Sequence, residues 1–487
     1  MTTAPAVPDS TGSPDLSFSP ELRRLIVVTT LSMFMALLDS TIVNVALRTL
    51  TTAMHTDLPT IQWLVTSYLL AMAAVIPISA WLATRLGARR VFLAAVGLFT
   101  LASLACGLSD SVGWLIVFRS VQGIAGIAVP VGSMMVVRAA GPALMPRVMA
   151  VSSAPIVLAP VFGPTIGGLL LDSVGWRWIF LVNVPVGIVT VLLGLWLLPR
   201  DHGRKGAVPH LSGLFAITAG SVALTFGLAE IGRDGALFTT SVVIALFVGG
   251  ALLAVFALVS LRSTAPLLDL RLFRNRVYTA ASITNFSVGA IIFGAIIVLP
   301  LYFQIVRHQD AVHTGLLLIP QGVGVALGMQ IAARTVDRFG GGRVSLVGGL
   351  LCVLATVPFV LLTDTTSYWL IGAAMVVRGI GLGATMMPAT TIAYRAITTD
   401  QIRDATVQLN IGQRIGGSIG TALLTVVLQR QLEGAATTAE QASGFGTAFG
   451  WVLVITVVAT APAVLLARSE RQLAHSEHRS PAQPAPL

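Results

Sequence analysis

Long apolar runs of nearly uniform length alternate along this chain with short polar connections. A helix that crosses a bilayer needs about 20 mostly apolar residues at a rise of about 1.5 Å each. Runs of that size fall at approximately 25–48, 60–83, 91–108, 112–137, 147–171, 177–198, 210–230 and 238–261. Six more follow at approximately 277–303, 314–334, 344–362, 367–394, 403–429 and 445–467. The pattern predicts an all-α polytopic membrane protein with fourteen transmembrane helices. Residues 1–20, with Pro5, Pro8 and Pro20 among polar neighbours, lack the basic start and short apolar stretch of a signal peptide, so a disordered tail is expected there.

Composition points the same way. The chain is 55% hydrophobic and 10% charged with a mean hydropathy of +0.87, whereas soluble domains carry about 25% charged residues. A net charge of +10 in a soluble protein would suggest a nucleic-acid partner, but here the basic residues sit in the connections. Of 30 basic residues, 22 fall on one side of the predicted helices, among them Arg23, Arg85, Arg89, Arg90, Arg200, Lys205, Arg271, Arg338 and Arg403. Five lie opposite (Arg48, Arg177, Arg233, Arg307, Arg430), and Arg119, Arg378 and Arg414 lie within spans. Basic loops stay cytoplasmic, which places both termini inside and argues against nucleic acid as a partner. Cys106 and Cys352 both fall in apolar runs without metal-type spacing and read as buried, inert thiols. His308 and His313 in one connection, and His475 and His478 in the tail, read as solvated side chains, so no metal site is expected.

The chain repeats itself weakly. Thr84-Arg85-Leu86-Gly87-Ala88-Arg89 follows the second helix, and Asp337-Arg338-Phe339-Gly340-Gly341-Gly342 follows the tenth. Phe118-Arg119 to Gly126 in the fourth helix is echoed by Val377-Arg378 to Gly383 in the twelfth. Carriers are often built from related halves around a central site. The spacing gives a six-helix bundle over 21–199, two inserted helices over 200–265, a second six-helix bundle over 266–467 and a cytoplasmic tail over 468–487.

Asp39 is the one acid near the middle of an apolar run. Ionised carboxylates in a bilayer cost roughly 2.5–3.5 kcal/mol on insertion scales, so one that persists marks a functional site by default.

These features together resemble the major facilitator superfamily, specifically the fourteen-helix drug:proton antiporters of the QacA/EmrB type. The resemblance runs from about residue 21 to 467. It is carried by Leu38 to Leu47, by Arg85-x-Gly87-x-Arg89-Arg90, by Arg119-x-x-Gln122-Gly123, by Gly163-Pro164-x-x-Gly167-Gly168 and by Trp176 to Gly187. The acid of the loop motif is Thr84 here and its leading glycine Ala80; Asp337 keeps the acid in the second copy. The resemblance implies that Arg85, Gly87, Arg89, Asp337, Arg338 and Gly340, with Gly163, Pro164, Gly167 and Gly168, serve the conformational cycle. It also implies export, which the helix-five motif accompanies.

Depth supports a pairing of charges. Asp39 and Arg119 stand roughly 13 and 10 Å from the same ends of their helices, so an ion pair is possible, with Asp39 carrying the proton and Arg119 alternating as its partner. A static pair that only holds helices together is the other reading. Arg378 and Arg414 lie close to the midplane with no acid in their spans, so each serves either helix packing or an anionic part of the substrate. Asn44, Trp63, Tyr68, Gln122, Asn285, Gln321 and Asn410 are candidate polar contacts for a bulky amphipathic compound, with Met33, Met386 and Met387 as adaptable apolar ones. Trp81, Trp176, Trp178 and Trp369 fall at span ends as interfacial anchors.

No phosphate-cradling loop with Lys-Ser/Thr is present, which excludes an ATP-driven pump of that kind, and no cluster of acids or histidines suggests an enzyme. The resulting expectation is a monomeric, cofactor-free, proton-driven exporter of amphipathic or cationic drugs in a bacterial inner membrane. A proton-coupled or facilitative carrier of a metabolite is the alternative.

Overall fold

The computed structural model describes residues 18–152, 154–201, 203, 211–234, 239–263 and 266–479. These residues form α1 (Pro20–Ala53), α2 (Leu58–Val75), α3 (Ser79–Leu86), α4 (Ala88–Gly107), α5 (Val112–Ala125), α6 (Ala128–Ser152), α7 (Ala154–Ser173), α8 (Trp178–Leu181) and α9 (Asn183–Leu197). They continue as α10 (Leu211–Asp234), α11 (Thr240–Arg262), α12 (Arg276–Ile305), α13 (Ala311–Phe339), α14 (Gly341–Val360), α15 (Tyr368–Arg395), α16 (Ile402–Leu432) and α17 (Thr438–Arg479).

Some spans are built from two helices. A short 3₁₀ turn at Ile76–Ile78 joins α2 to α3, and α5 runs into the first part of α6. Gly141, with φ 64°, breaks α6, and the stretch after it leads on to α7 as the fifth span. Thirteen helices of the described residues are long and apolar enough to cross a membrane. The fifth of the expected fourteen contains residue 153, which lies outside the described residues, and that span is not among the thirteen.

Helix starts follow from side chains that satisfy the first free backbone amides. Ser19 accepts from Leu22 N, Asp57 from Thr60 N, Asn275 from Val277 N and Asp310 from His313 N. Gly87 and Gly340 occupy equivalent single-residue corners, between α3 and α4 and between α13 and α14, at φ 94° and 81°. Only glycine adopts that conformation without strain, so the weak sequence repeat reflects one corner built twice. At the first corner Asp201 accepts from the backbone N–H groups of Ala88 and Arg89, capping α4.

Helices α1–α9 form one bundle and α12–α17 a second. The inserted α10 packs on α11 and lies against α2 and α16. The bundles share apolar cores on the arginine-rich side. There Val137 and Met145 of α6 join Tyr278, Ile392, Tyr394 and Leu409, and Met149 packs with Met329 and Met387. On the opposite side the cores around Ile42 and Phe180 and around Tyr302 and Phe445 each draw on one bundle alone among the described residues. The helix α17 continues through Arg479, past residue 467 where the tail was expected, because the stretch 465–473 is rich in strong helix formers. Trp369 and Trp178 stand exposed at the starts of α15 and α8.

Candidate functional site

Helix α5 reaches the middle of the first bundle because Gly123 lets it lie against α2: a Cβ there would overlap the backbone oxygen of Tyr68. One turn earlier, Arg119 points inward with 1% of its surface exposed. Its Nη1 donates to Asp39 Oδ2 at 2.6 Å and to Gln122 Oε1 at 2.8 Å, while Nε donates to Leu64 O at 3.3 Å. The guanidinium lies over the Tyr68 ring at 4.5 Å and near the Phe180 ring at 5.9 Å.

Asp39 has no exposed surface. Its second oxygen, Oδ1, accepts from Asn183 Nδ2 at 2.8 Å and lies 3.5 Å from Gln122 Nε2. Gln122 Nε2 in turn donates to Ser103 Oγ at 2.5 Å, and Cys106 Sγ donates to Gln122 Oε1 at 3.5 Å. Five spans thus converge on one carboxylate, and the cluster is neutral as a whole. Taking a lone charge this deep costs several kcal/mol, and removing one partner of such a pair costs about 3–5 kcal/mol. Among the described residues, Asp404 is the other buried carboxylate; it sits in the first turn of α16 beside Arg403 at 2.8 Å.

Among the described residues the second bundle has no counterpart to Asp39. Arg378 is fully buried, donates from Nη1 to Gln321 Oε1 at 3.2 Å, and leaves Nε and Nη2 without partners. Arg414 is half-buried on α16 and within electrostatic reach of Tyr68 in the first bundle.

A paired acid and arginine in one half of a twofold-repeated helical bundle describes many carriers, and comparison with known proteins narrows the set. The family model for the Major Facilitator Superfamily matches residues 29–421. The chain belongs to the major facilitator superfamily. It is 37% identical over 414 residues, 84% of this chain and 77% of the relative, to the multidrug resistance protein B homolog of Mycobacterium tuberculosis. It is 31% identical over 420 residues, 82% of this chain and 79% of the relative, to the multidrug export protein EmrB of Haemophilus influenzae. A solved structure of the proton:xylose symporter XylE superposes with a TM-score of 0.60 at 12% identity over 90% of this chain and 94% of that one, a likeness of fold.

Superfamily membership makes this a transporter, and several of its remaining motif residues fall at helix contacts. Gly163 of α7 faces Thr41 of α1 so closely that a Cβ would overlap Thr41 Oγ1, and Gly167 faces Ile42. Gly168 is buried. The side chains of Pro164 and Asp337 lie outside the described residues. Arg89 Nη2 donates to Leu195 O at 2.6 Å, Arg85 lies over Trp81 at 5.3 Å, and Arg338 over Phe339 at 5.2 Å. Thr84, in place of the motif's acid, still connects the bundles: it accepts from Arg403 Nη1 at 3.1 Å.

The polar residues expected to meet substrate divide into groups. Tyr68 and Gln122 belong to the Asp39 cluster. Asn285 Nδ2 is spent on Leu409 O at 3.1 Å, and the amides of Asn44 and Asn410 donate to backbone oxygens four residues back in their own helices. Trp63 faces away from this cluster and stacks on Phe226 of the inserted α10 at 6.3 Å. Met387 packs in the shared core on the basic side, with Met386 against it; Met33 is half-buried on α1. Asn183 and Ser103 are the cluster members that sequence reasoning did not single out. Cys106 and Cys352 are buried and free.

Proposed function

We propose that this chain is a proton-coupled exporter of amphipathic compounds, working by alternating access across a bacterial cytoplasmic membrane with both termini inside. The observation that carries it is the fully buried Asp39 gripped by Arg119. A carboxylate at that depth is stable with the guanidinium against it. A rearrangement that draws Arg119 away leaves a lone buried charge, which a proton neutralises. Protonation is thereby tied to conformation, the requirement for coupling. Among the described residues the bundles share apolar cores on the basic side, which supports reading this arrangement as the outward-open end state, with Gly163 and Gly167 letting α7 rock on α1. The bacterial relatives are named for multidrug resistance and multidrug export, which supports drugs as cargo. The proton gradient supplies the drive without a cofactor, and one copy of the chain suffices.

The test is transport in proteoliposomes with an imposed pH gradient, comparing wild type with Asp39→Asn. Gradient-dependent movement of amphipathic dyes lost in Asp39→Asn, with a correctly folded protein by gel filtration, is the expected result. Full gradient dependence in Asp39→Asn would falsify the coupling role.

A further inference from the structure

The two buried arginines of the repeat have unlike surroundings. Arg119 is matched by a carboxylate, whereas Arg378 has one hydrogen bond, to the Gln321 amide, and two buried nitrogens with none. Among the titratable groups of the described residues, Cys352 is the one within its electrostatic reach. Buried donors are nearly always satisfied, and a guanidinium stays charged wherever it is placed. The geometry of the two unpartnered nitrogens is specific. Nε and Nη2 form one edge of the planar fork, two parallel N–H groups spaced to meet both oxygens of a carboxylate. Gln321 engages the third nitrogen, Nη1, from α13, and Gly379 lets α15 lie close enough for this, since a Cβ there would overlap Gln321 O.

The charge balance of the interior agrees. Asp39 and Arg119 cancel, and Asp404 is held at the basic end by Arg403 and the Asp269 backbone N–H. Among the described residues, Arg378 and Arg414 are left as two cations without an acid. Such an interior repels a lipophilic cation and attracts a compound bearing negative charge.

We propose that the Nε–Nη2 edge of Arg378, with Gln321 beside it, is an anion subsite, and that the exported compound is an acidic or zwitterionic amphiphile carrying a carboxylate or sulfonate. This deepens the export reading and rests on it for the direction of transport; the binding step needs no gradient.

Rhodamine 110 and rhodamine 123 share one fluorophore and differ by a free carboxylate against its methyl ester. Fluorescence polarisation of each dye with the purified full-length protein, without a gradient, reads the subsite directly. Wild type is expected to bind rhodamine 110 about tenfold more tightly, as a charge-assisted pair provides. Arg378→Gln is expected to abolish the preference by weakening rhodamine 110 alone, and Arg378→Lys to keep part of it. Equal binding, preference for rhodamine 123, binding of neither dye, or a preference that survives Arg378→Gln overturns the proposal. Melting of the ligand-free protein is a second check. Arg378→Met removes an uncompensated buried charge and is expected not to lower the melting temperature; a clear fall would show that the protein itself satisfies the guanidinium, and the proposal fails. If chloride stabilises wild type but not Arg378→Met while the dyes bind alike, the site holds an inorganic anion and the substrate assignment fails. Rhodamine 110 binding without gradient-driven export would instead count against the export reading and leave the subsite standing.

Discussion

The amide of Asn183, at the first turn of α9, donates to Asp39 Oδ1 at 2.8 Å, while Arg119 holds the other oxygen. Asn183 Oδ1 is itself buried without a donor. An amide can serve both protonation states of its neighbour: Nδ2 donates to a carboxylate, and after rotation Oδ1 accepts from a carboxylic O–H. Asn183→Leu keeps the volume and loses both options. It is expected to lower stability by about 1.5–3 kcal/mol, the worth of a hydrogen bond to a charged group, and to displace the pH midpoint of transport. Thermal melting and a pH–rate profile measure the two effects; if neither moves, the amide is idle.

Thr84 and Arg403 are 319 residues apart and meet at 3.1 Å where the bundles close on the basic side. The guanidinium makes a single bond to the Thr84 hydroxyl while Asp404 holds its Nε at 2.8 Å, and a carboxylate at residue 84 would turn that bond into a second ion pair. Thr84→Asp is expected to favour the present closure by about 1 kcal/mol and to slow turnover, and Thr84→Ala to do the reverse. Spin labels across the basic side, read by pulsed distance measurement, report the shift. Identical distance distributions for both variants would remove Thr84 from the latch.

The spans were legible in the sequence because the bilayer imposes a length and an apolar composition that few other folds need. The Asp39–Arg119 pair was legible because helical rise converts residue count into depth. A signal for Gln122 was also present: it lies three residues after Arg119, on the same face of α5, and so joins the cluster more readily than a substrate surface. Asn183 was hidden. Its aim depends on the break between α8 and α9, which tertiary packing fixes and no periodicity announces. The partner of Trp63 was hidden for the same reason, since nothing in 211–234 says that α10 lies against α2 and α16.

The Trp63–Phe226 stack, with ring centroids 6.3 Å apart and planes at 26°, anchors the inserted α10 to α2. Trp63→Ala is therefore expected to loosen an inserted helix and leave the choice of substrate alone. Aromatic pairs contribute about 0.5–1.5 kcal/mol beyond the area they bury, so the melting temperature should fall while the ratio of transport rates among several dyes stays constant. A changed ratio would place Trp63 on the substrate path after all.

Gly163 sets the distance between α7 and α1. A Cβ built on it overlaps Thr41 Oγ1 and comes within 2.6 Å of Thr41 Cβ, and Thr41 Oγ1 itself lies 3.3 Å from Ala159 O of α7. Thr41 is two residues from Asp39, so a displacement of α1 there also disturbs the carboxylate. Overpacking of a tight contact costs about 1–3 kcal/mol. Gly163→Ala is expected to destabilise by that amount and to reduce transport more than its stability loss explains. Thr41→Gly removes the side chain that the new methyl strikes, so the double variant should recover stability relative to Gly163→Ala alone. If Gly163→Ala behaves as wild type in both melting and transport, α7 does not move on α1 along this face, and the pivot of the cycle must be sought between α7 and α13.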